Sequence, residues 1–178
     1  MLRLVSPSLD NIAGYAAALE AGWSPDTVRD LSLEHLALYR RDPALLIDEM
    51  TRQDGMITIG TSTYPRLPSR VFWLDDGEFC GTINLRFAPG TDALPAPVPG
   101  HAGYAVVPWK RRQGYATEAL RLLLPVAHEI GLKRIQLVCD DDNEPSRKVI
   151  AANGGAFERS YPAENGKTKL SFWIDLST

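Results

Sequence analysis

The chain has 178 residues and a formal net charge of −3, from 19 lysines and arginines against 22 aspartates and glutamates. This length is typical of one domain, and we expect residues 1–178 to form a single domain. The composition, 44% hydrophobic and 23% charged, excludes a disordered or coiled-coil chain. Proteins that bind nucleic acid usually carry a basic excess, so the acidic balance argues against a nucleic-acid partner.

Cysteine content and hydropathy indicate the compartment. Cys80 and Cys139 are too few for a disulfide framework and wrongly spaced for a zinc site, so we expect reduced thiols and no metal. No apolar stretch approaches the roughly 18 residues that a membrane helix needs, and the first residues lack the features of a signal peptide. The sequence therefore predicts a cytoplasmic protein without a membrane partner.

The first half of the chain predicts one short strand followed by helices. After the strand at residues 2–4, Ser8 is the expected N-cap of an amphipathic helix that ends before Gly22. A second helix is predicted from about Leu31. Asp42 and the following proline predict the start of a third helix. Residues 55–69, rich in Gly, Thr, Ser and Pro, are predicted to form an irregular connection.

The second half of the chain predicts a sheet. Residues 71–74 and 78–87 form an expected hairpin around Asp-Asp-Gly, and the proline-rich residues 88–100 are predicted to form a surface loop. A strand over residues 101–107 follows. Helical spacing then predicts a helix over residues 113–130. The remaining segments predict a strand at 135–138, a helix that starts at Asn143 and ends at the Gly154-Gly155 pair, and closing strands at 157–161 and 170–176. This order predicts a mixed α+β sheet protein.

The turn between the strand at 101–107 and the next helix has the features of an anion site. The first N–H groups of a helix have no partner within the helix, and the helix dipole places partial positive charge there. Gly114 leaves room for a ligand at this helix start, and Lys110, Arg111 and Arg112 add positive charge. These features predict binding of a pyrophosphate. A solvated basic turn is the alternative. The P-loop is excluded because no Gly-Lys-Ser/Thr follows.

The same turn resembles the signature of the GNAT superfamily of acyl-CoA-dependent N-acetyltransferases. The family pattern Arg/Gln-x-x-Gly-x-Gly/Ala is matched by Arg111, Gly114 and Ala116. Residues 143–146 and 154–157 resemble the downstream Asn-x-x-Ser and Gly-Phe elements of the family, with one alanine inserted. Within the superfamily, the sequence is similar to a poorly characterised bacterial branch of predicted acetyltransferases.

The resemblance implies a fold and a cofactor. The fold would be a mixed, mostly antiparallel central sheet of about six or seven strands flanked by helices, with a splayed central strand pair. Acetyl-CoA would be the co-substrate. Backbone groups of Val106 and Val107 would bind the pantetheine arm, and Asn143 and Ser146 would lie near the sulfur. The residues implied at the pyrophosphate are Arg111, Arg112, Gln113, Gly114, Tyr115, Ala116 and Thr117.

The catalytic residues are less clear from the resemblance, because the sequence departs from the family here. Many relatives have a tyrosine seven residues after the asparagine, where this chain has Ile150. Ser146 is the nearest candidate acid, as a proton relay, and Tyr104 and Tyr161 are alternatives. His101 is the best candidate base, because its ordinary pKa near 6.5 suits proton transfer from an ammonium. A structural histidine is the alternative.

The acceptor site is indicated by two polar side chains on one strand. Asn84 and Arg86 alternate along the strand at 78–87 and therefore share a face of the sheet. An arginine there would suit an acceptor that bears a carboxylate, although a salt-bridged edge residue is the alternative. The leading hypothesis is an N-acetyltransferase that moves an acetyl group from acetyl-CoA directly to a primary amine of a small molecule, peptide or protein.

Other functions remain open from the sequence alone. The absent tyrosine at Ile150 is consistent with a catalytically impaired acyl-CoA-binding or regulatory module. A nucleotide-binding or structural domain is a third and weaker hypothesis. A homodimer is compatible with the sequence.

Overall fold

The protein is a mixed helix and sheet structure, described by a computed structural model for residues 1–59, 62–96, 98–163 and 166–176. Its first elements are β1 (Arg3–Val5), α1 (Ile12–Glu20), α2 (Ser32–Arg41), α3 (Pro43–Thr51), β2 (Met56–Ile59), β3 (Ser62–Pro65) and β4 (Ser69–Asp75). The remaining elements are β5 (Phe79–Arg86), β6 (Ala102–Val106), α4 (Tyr115–Glu129), β7 (Arg134–Asp140), α5 (Glu144–Ala152), β8 (Ala156–Pro162) and β9 (Thr168–Asp175). Among these residues, no helix is both long enough and apolar enough to cross a membrane.

The main elements of the described structure are two antiparallel sheets. One sheet has the strand order β1-β4-β5-β6 and the other the order β7-β9-β8, while β2 and β3 form a separate hairpin. Helices lie on both sides of the larger sheet and bury their apolar side chains against it. The predicted mixed, mostly antiparallel sheet with flanking helices is confirmed.

One apolar layer lies between the sheets and α4 and α5. The helix α4 buries one side, and its fully buried side chains are Ala119, Leu120, Leu123 and Ala127. These residues follow helical spacing, so the amphipathic pattern of the sequence places them correctly. On the opposite face of the sheet, α1, α2 and α3 cover an aromatic cluster in which the rings of Tyr15 and Trp73 stack with centroids 5.0 Å apart.

The helix starts show where local signals succeed and fail. Asp42 caps α3 as predicted, because its Oδ1 accepts the N–H of Ala44 at 2.9 Å. Ser8 does not cap α1, and that prediction is wrong. The helix starts at Ile12 after Asn11, whose Oδ1 accepts the backbone N–H of Ser8 at 2.9 Å. The asparagine side chain turns back to Ser8, and the chain makes a turn there before the helix begins.

The prediction of an irregular connection at residues 55–69 is wrong, because this segment contains the β2–β3 hairpin. Its register pairs Met56 with Pro65, Ile57 with Tyr64 and Thr58 with Thr63. Isoleucine, threonine and tyrosine favour extended backbone, and this preference outweighs the Gly and Pro content of the segment. Residues 60 and 61 of this segment, and Pro97 in the predicted proline-rich loop, lie outside the described residues.

The two sheets meet where β6 begins. The backbone N–H of His101 donates to the carbonyl of Gln136 at 2.7 Å, and the N–H of Gln136 donates to Nδ1 of His101 at 2.9 Å. Gly100 is packed so tightly here that an added Cβ would lie 2.9 Å from the Gln136 carbonyl. Beyond this junction β6 and β7 belong to separate sheets. The predicted splayed central pair thus corresponds to β6 and β7.

Candidate active site

The turn that leads from β6 into α4 contains two left-handed backbone positions. Arg112 has a φ of 59° and Gly114 has a φ of 83°. Gly114 is the N-cap of α4, and no side chain caps this helix. The first N–H groups of the helix, from Tyr115, Ala116 and Thr117, are therefore free for an anion. A Cβ on Gly114 would project into open space with nothing within 4 Å, so the approach to these groups is clear.

One of the three basic residues counted in this turn, Lys110, is already neutralised. Lys110 Nζ lies 2.9 Å from Asp76 Oδ2 and 3.1 Å from Glu78 Oε2. Tyr115 also donates its hydroxyl to Asp76. These two donors hold the pKa of the Asp76 carboxyl well below its usual range. The cluster fastens the turn to the β4–β5 hairpin, a contact that the sequence did not predict.

The cations that remain for a ligand are two arginines. Arg121 is paired with Glu118 at 2.6 Å, so it adds little net charge to the helix start. Arg111 donates its Nε to the Val106 carbonyl at 3.1 Å. The exposed side chain of Arg112 makes no hydrogen bond or ion pair with the described residues. The turn therefore combines free helix amides with two available guanidinium groups.

The backbone of β6 presents Val106, not Val107, to the gap between the sheets. The N–H of Val107 donates to the Cys80 carbonyl at 3.0 Å, and its carbonyl accepts the N–H of Lys110 at 3.0 Å. Residues alternate along an antiparallel strand, so the N–H and carbonyl of Val106 point away from β5. Val106 therefore faces the gap, where only the Arg111 side chain among the described residues contacts its carbonyl, while the backbone of Val107 is engaged within the fold.

A pair of hydroxyl groups lies between β6 and the start of α5. Asn143 caps α5, since its Oδ1 accepts the N–H of Ser146 at 3.1 Å. This cap places the Ser146 Oγ 2.7 Å from the hydroxyl of Tyr104, which reaches across from β6. Burial raises the pKa of Tyr104 to about 12, so the phenol remains protonated at neutral pH. The pair supplies polar hydrogen atoms beside the gap.

The other positions considered for a proton donor lie elsewhere. Ile150 is 1% exposed and packs in the core, where an added Cβ on Gly155 would collide with it. Tyr161 lies on β8, the outer strand of the smaller sheet, and its ring contacts the guanidinium of Arg159 at 5.4 Å. Tyr104 is therefore the tyrosine that accompanies Ser146.

His101, the predicted base, lies in the interior. Its ring has no exposed surface, and its Nδ1 accepts the Gln136 N–H. The proton of the neutral ring is therefore on Nε2, which has no partner among the described residues. Burial lowers the pKa of His101 to about 4. This environment favours a structural role at the junction of the sheets over proton transfer with an external amine.

Asn84 and Arg86 lie on the face of β5 that is turned toward α1, α2 and α3. They alternate with Ile83 and Leu85, which point to the opposite core. Asn84 Oδ1 accepts the backbone N–H of Gly103 at 3.1 Å. The alternation predicted from the sequence is confirmed, and both polar groups share one surface above β6.

The two sheets separate beside the uncapped start of α4, as the resemblance to acyl-CoA-dependent acetyltransferases predicts. The family model of the acetyltransferase (GNAT) domain matches residues 26–156, which is most of the chain. The protein therefore belongs to the GNAT acetyltransferase family. Among curated protein sequences, none matches the chain.

Solved structures agree with this fold. RimJ from Mycobacterium smegmatis, in complex with CoA-disulfide, is 21% identical with a TM-score of 0.67 and covers 98% of this chain and 81% of its own. RimL, a ribosomal L7/L12 α-N-protein acetyltransferase in complex with coenzyme A, is 15% identical with a TM-score of 0.66 and covers 99% of this chain and 96% of its own. The microcin C7 self-immunity acetyltransferase MccE, with acetyl-CoA and AMP, is 13% identical with a TM-score of 0.65 and covers 98% and 92%.

Proposed function

We propose that this protein is an N-acetyltransferase that transfers an acetyl group from acetyl-CoA directly to a primary amine. The observation that carries the proposal is the uncapped start of α4 beside the gap between β6 and β7. A phosphate site next to a slot that exposes strand backbone suits a ligand with a pyrophosphate and a long amide-bearing arm. Three solved relatives hold coenzyme A, CoA-disulfide or acetyl-CoA, which supports this choice.

The residues present fit such a co-substrate. The pyrophosphate would contact the backbone of Gln113, Gly114, Tyr115, Ala116 and Thr117 and the side chains of Arg111 and Arg112. The arm would replace the Arg111 side chain at the Val106 carbonyl. Asn143 would keep Ser146 in place near the sulfur. We assign Val107 no ligand contact, because both of its backbone groups are engaged.

Acetyl transfer requires a neutral amine, stabilisation of a developing oxyanion and support for the leaving sulfur. The N–H of Val106 is directed at the gap and is our candidate oxyanion donor, a contact that contributes about 3–4 kcal/mol in measured enzymes. Tyr104 and Ser146 would donate hydrogen bonds to the sulfur, whose conjugate acid resembles a cysteine thiol with a pKa of about 8.5. With His101 buried, we propose that the amine passes its proton to solvent.

Gly114→Val tests whether the helix start holds the co-substrate. Valine would place a branched side chain over the free amides, so we expect the thermal stabilisation by acetyl-CoA to be lost. In the wild type, ligand at a hundredfold excess over Kd contributes about 2.7 kcal/mol. Gly131→Val is the matched control, because Gly131 also has a positive φ and open surroundings but follows the opposite end of α4.

Activity is tested by release of free thiol from acetyl-CoA with a panel of primary amines. Turnover that Gly114→Val abolishes and Gly131→Val retains is the expected result. Binding of acetyl-CoA without turnover on the whole panel would instead support the acyl-CoA-binding module suggested by Ile150. A thermal shift that ATP reproduces equally would overturn acetyl-CoA as the ligand.

A further inference from the structure

The guanidinium of Arg86 has no partner among the described residues. Its side chain is partly buried, and it makes no hydrogen bond or ion pair with any residue that the structure describes. Burial lowers the pKa of Arg86, and the opposing influence is the charge of Asp26, in the loop after α1. Cations that are withdrawn from water are normally paired, because desolvation costs free energy that only a counter-charge offsets. A negatively charged ligand would supply that counter-charge.

A second donor points to the same place. Asn84 Oδ1 accepts the Gly103 N–H at 3.1 Å, which fixes the amide and leaves its Nδ2 without a described partner. Gly103 has no side chain, and the side chains of Arg86 and Asn84 approach the position that its Cβ would occupy, with Asn84 Oδ1 3.5 Å from it. A Cβ there would lie 3.4 Å from Arg86 Nη2 and 3.9 Å from Asn84 Nδ2. A small planar anion above Gly103 would receive hydrogen bonds from both groups.

The position along β6 relates this site to the reaction. Gly103 precedes Val106 by three residues, which corresponds to about 10 Å along a strand. Gly103 also lies on the sheet face that α1, α2 and α3 cover, whereas Tyr104 points to the opposite face and to Ser146. An acceptor that approached from the side of α1 would thus carry its amine toward Val106 and its other end toward Arg86.

We propose that Arg86 and Asn84 bind a carboxylate of the acceptor, so that this enzyme selects amines that carry a carboxylate several bonds away. The inference rests on the proposed acetyltransferase function. Arginine and carboxylate form paired, charge-assisted hydrogen bonds, and the amide of Asn84 adds a third donor. Asp26 is not paired with Arg86 and would compete weakly with the acceptor for it.

The test uses acceptors that differ only in the carboxylate. One pair is 6-aminohexanoate and 6-aminohexanamide, and the other is a tripeptide amide with aspartate or asparagine as its second residue. Thiol release from acetyl-CoA gives kcat/KM for each. We expect the acid of each pair to be preferred by about 10- to 100-fold in the wild type, as expected for hydrogen bonds to a charged group. Arg86→Met should abolish the preference, and Arg86→Lys should retain part of it.

Two further variants separate recognition from folding. Arg70→Met removes an exposed arginine from the neighbouring β4 and should leave the preference unchanged. Asp26→Asn removes the competing carboxylate and should lower KM for the acids. If Arg86 only balanced Asp26, both Asp26→Asn and Arg86→Met would lower stability and neither would alter the ratio of acid to amide.

The outcomes distinguish this inference from the function on which it rests. No thiol release with any amine would remove the proposed function itself. Turnover with equal kcat/KM for acid and amide would overturn the carboxylate site and leave the acetyltransferase intact. Binding of the acids to the complex with CoA, measured calorimetrically in wild type and Arg86→Met, gives the same comparison without turnover.

Discussion

This chain lacks the tyrosine that many family members have, and Tyr104 provides a hydroxyl from a different position. The position seven residues after Asn143 is Ile150, which lies in the core. The Tyr104 hydroxyl comes from a different element, β6, and meets the Ser146 Oγ at 2.7 Å. We infer that this pair assumes the role of stabilising the leaving sulfur, since both groups stay protonated at neutral pH.

Tyr104→Phe should lower kcat without weakening the binding of acetyl-CoA. A positioned proton donor contributes about 100-fold or more in typical enzymes, and we expect a loss of that order. Steady-state kinetics and acetyl-CoA thermal shifts measure the two quantities.

Tyr161→Phe on β8 is the control and should change neither. A double variant with Ser146→Ala should be no slower than the worse single variant, because the two hydroxyls act together. Equal kcat for Tyr104→Phe and wild type would reject this role.

His101 links protonation to stability at the junction of the sheets. Its folded pKa of about 4 lies below the ordinary value of 6.5, so the folded state favours the neutral ring. The stabilisation that the neutral His101 ring gives to the folded state is therefore complete above pH 6.5 and is lost as the pH falls toward 4. The shift corresponds to about 3 kcal/mol over that range.

His101→Asn should flatten the dependence of unfolding free energy on pH. Asparagine can offer Oδ1 to the Gln136 N–H but does not titrate. Between pH 7 and pH 5 the wild type should lose about 2 kcal/mol that the variant keeps. Denaturant unfolding at several pH values measures the difference. Burial also lowers the pKa of His35. His35 contributes equally in the wild type and the variant, so it does not affect the difference between them. Parallel curves would refute the assignment, and the exposed His128→Asn serves as the control.

At the scale of elements, local signals in the sequence predicted the site better than distant ones. The Asn143 cap, the break at Gly114 and the amphipathic α4 depend on neighbouring residues, and all three are present as predicted. Each arises from hydrogen bonds or spacing within a few residues. This is why the turn before α4 could be selected as a candidate anion site before its surroundings were known.

Charge pairing between elements could not be predicted in the same way. Asp76 lies 34 residues from Lys110 and was identified only as part of a hairpin turn, yet it removes that lysine from the positive charge of the turn. Tyr104 and Ser146 are 42 residues apart, and their contact depends on how β6 faces the start of α5. Burial of His101 likewise follows from the meeting of two sheets. Such contacts depend on tertiary packing, which leaves no periodic pattern in the sequence.

At the scale of the whole molecule, the gap between the sheets depends on one narrow junction. Gly100 and His101 hold the start of β6 against β7, and the strands lie in separate sheets beyond that point. A close junction followed by separation leaves a slot between the two strands. We infer that the ligand site owes its shape to this contact as much as to the turn at Gly114.

Gly100→Ala should disturb both stability and co-substrate binding. The added Cβ would lie 2.9 Å from the Gln136 carbonyl and 3.2 Å from the Val138 N–H nitrogen, and the backbone has a φ of 79°. Gly90→Ala in the same connection is the matched control, because its φ of 77° is equally strained but nothing lies within 4 Å.

The control should lose about 1 kcal/mol of unfolding free energy from strain alone. Gly100→Ala should lose about 1–3 kcal/mol more from overlap, as in overpacked cores. Denaturant unfolding gives these values, and acetyl-CoA titration of the folded variants should show weaker binding for Gly100→Ala only. Equal losses of unfolding free energy in both variants would show that the junction tolerates a wider separation of β6 and β7. The shape of the slot would then be determined by other contacts.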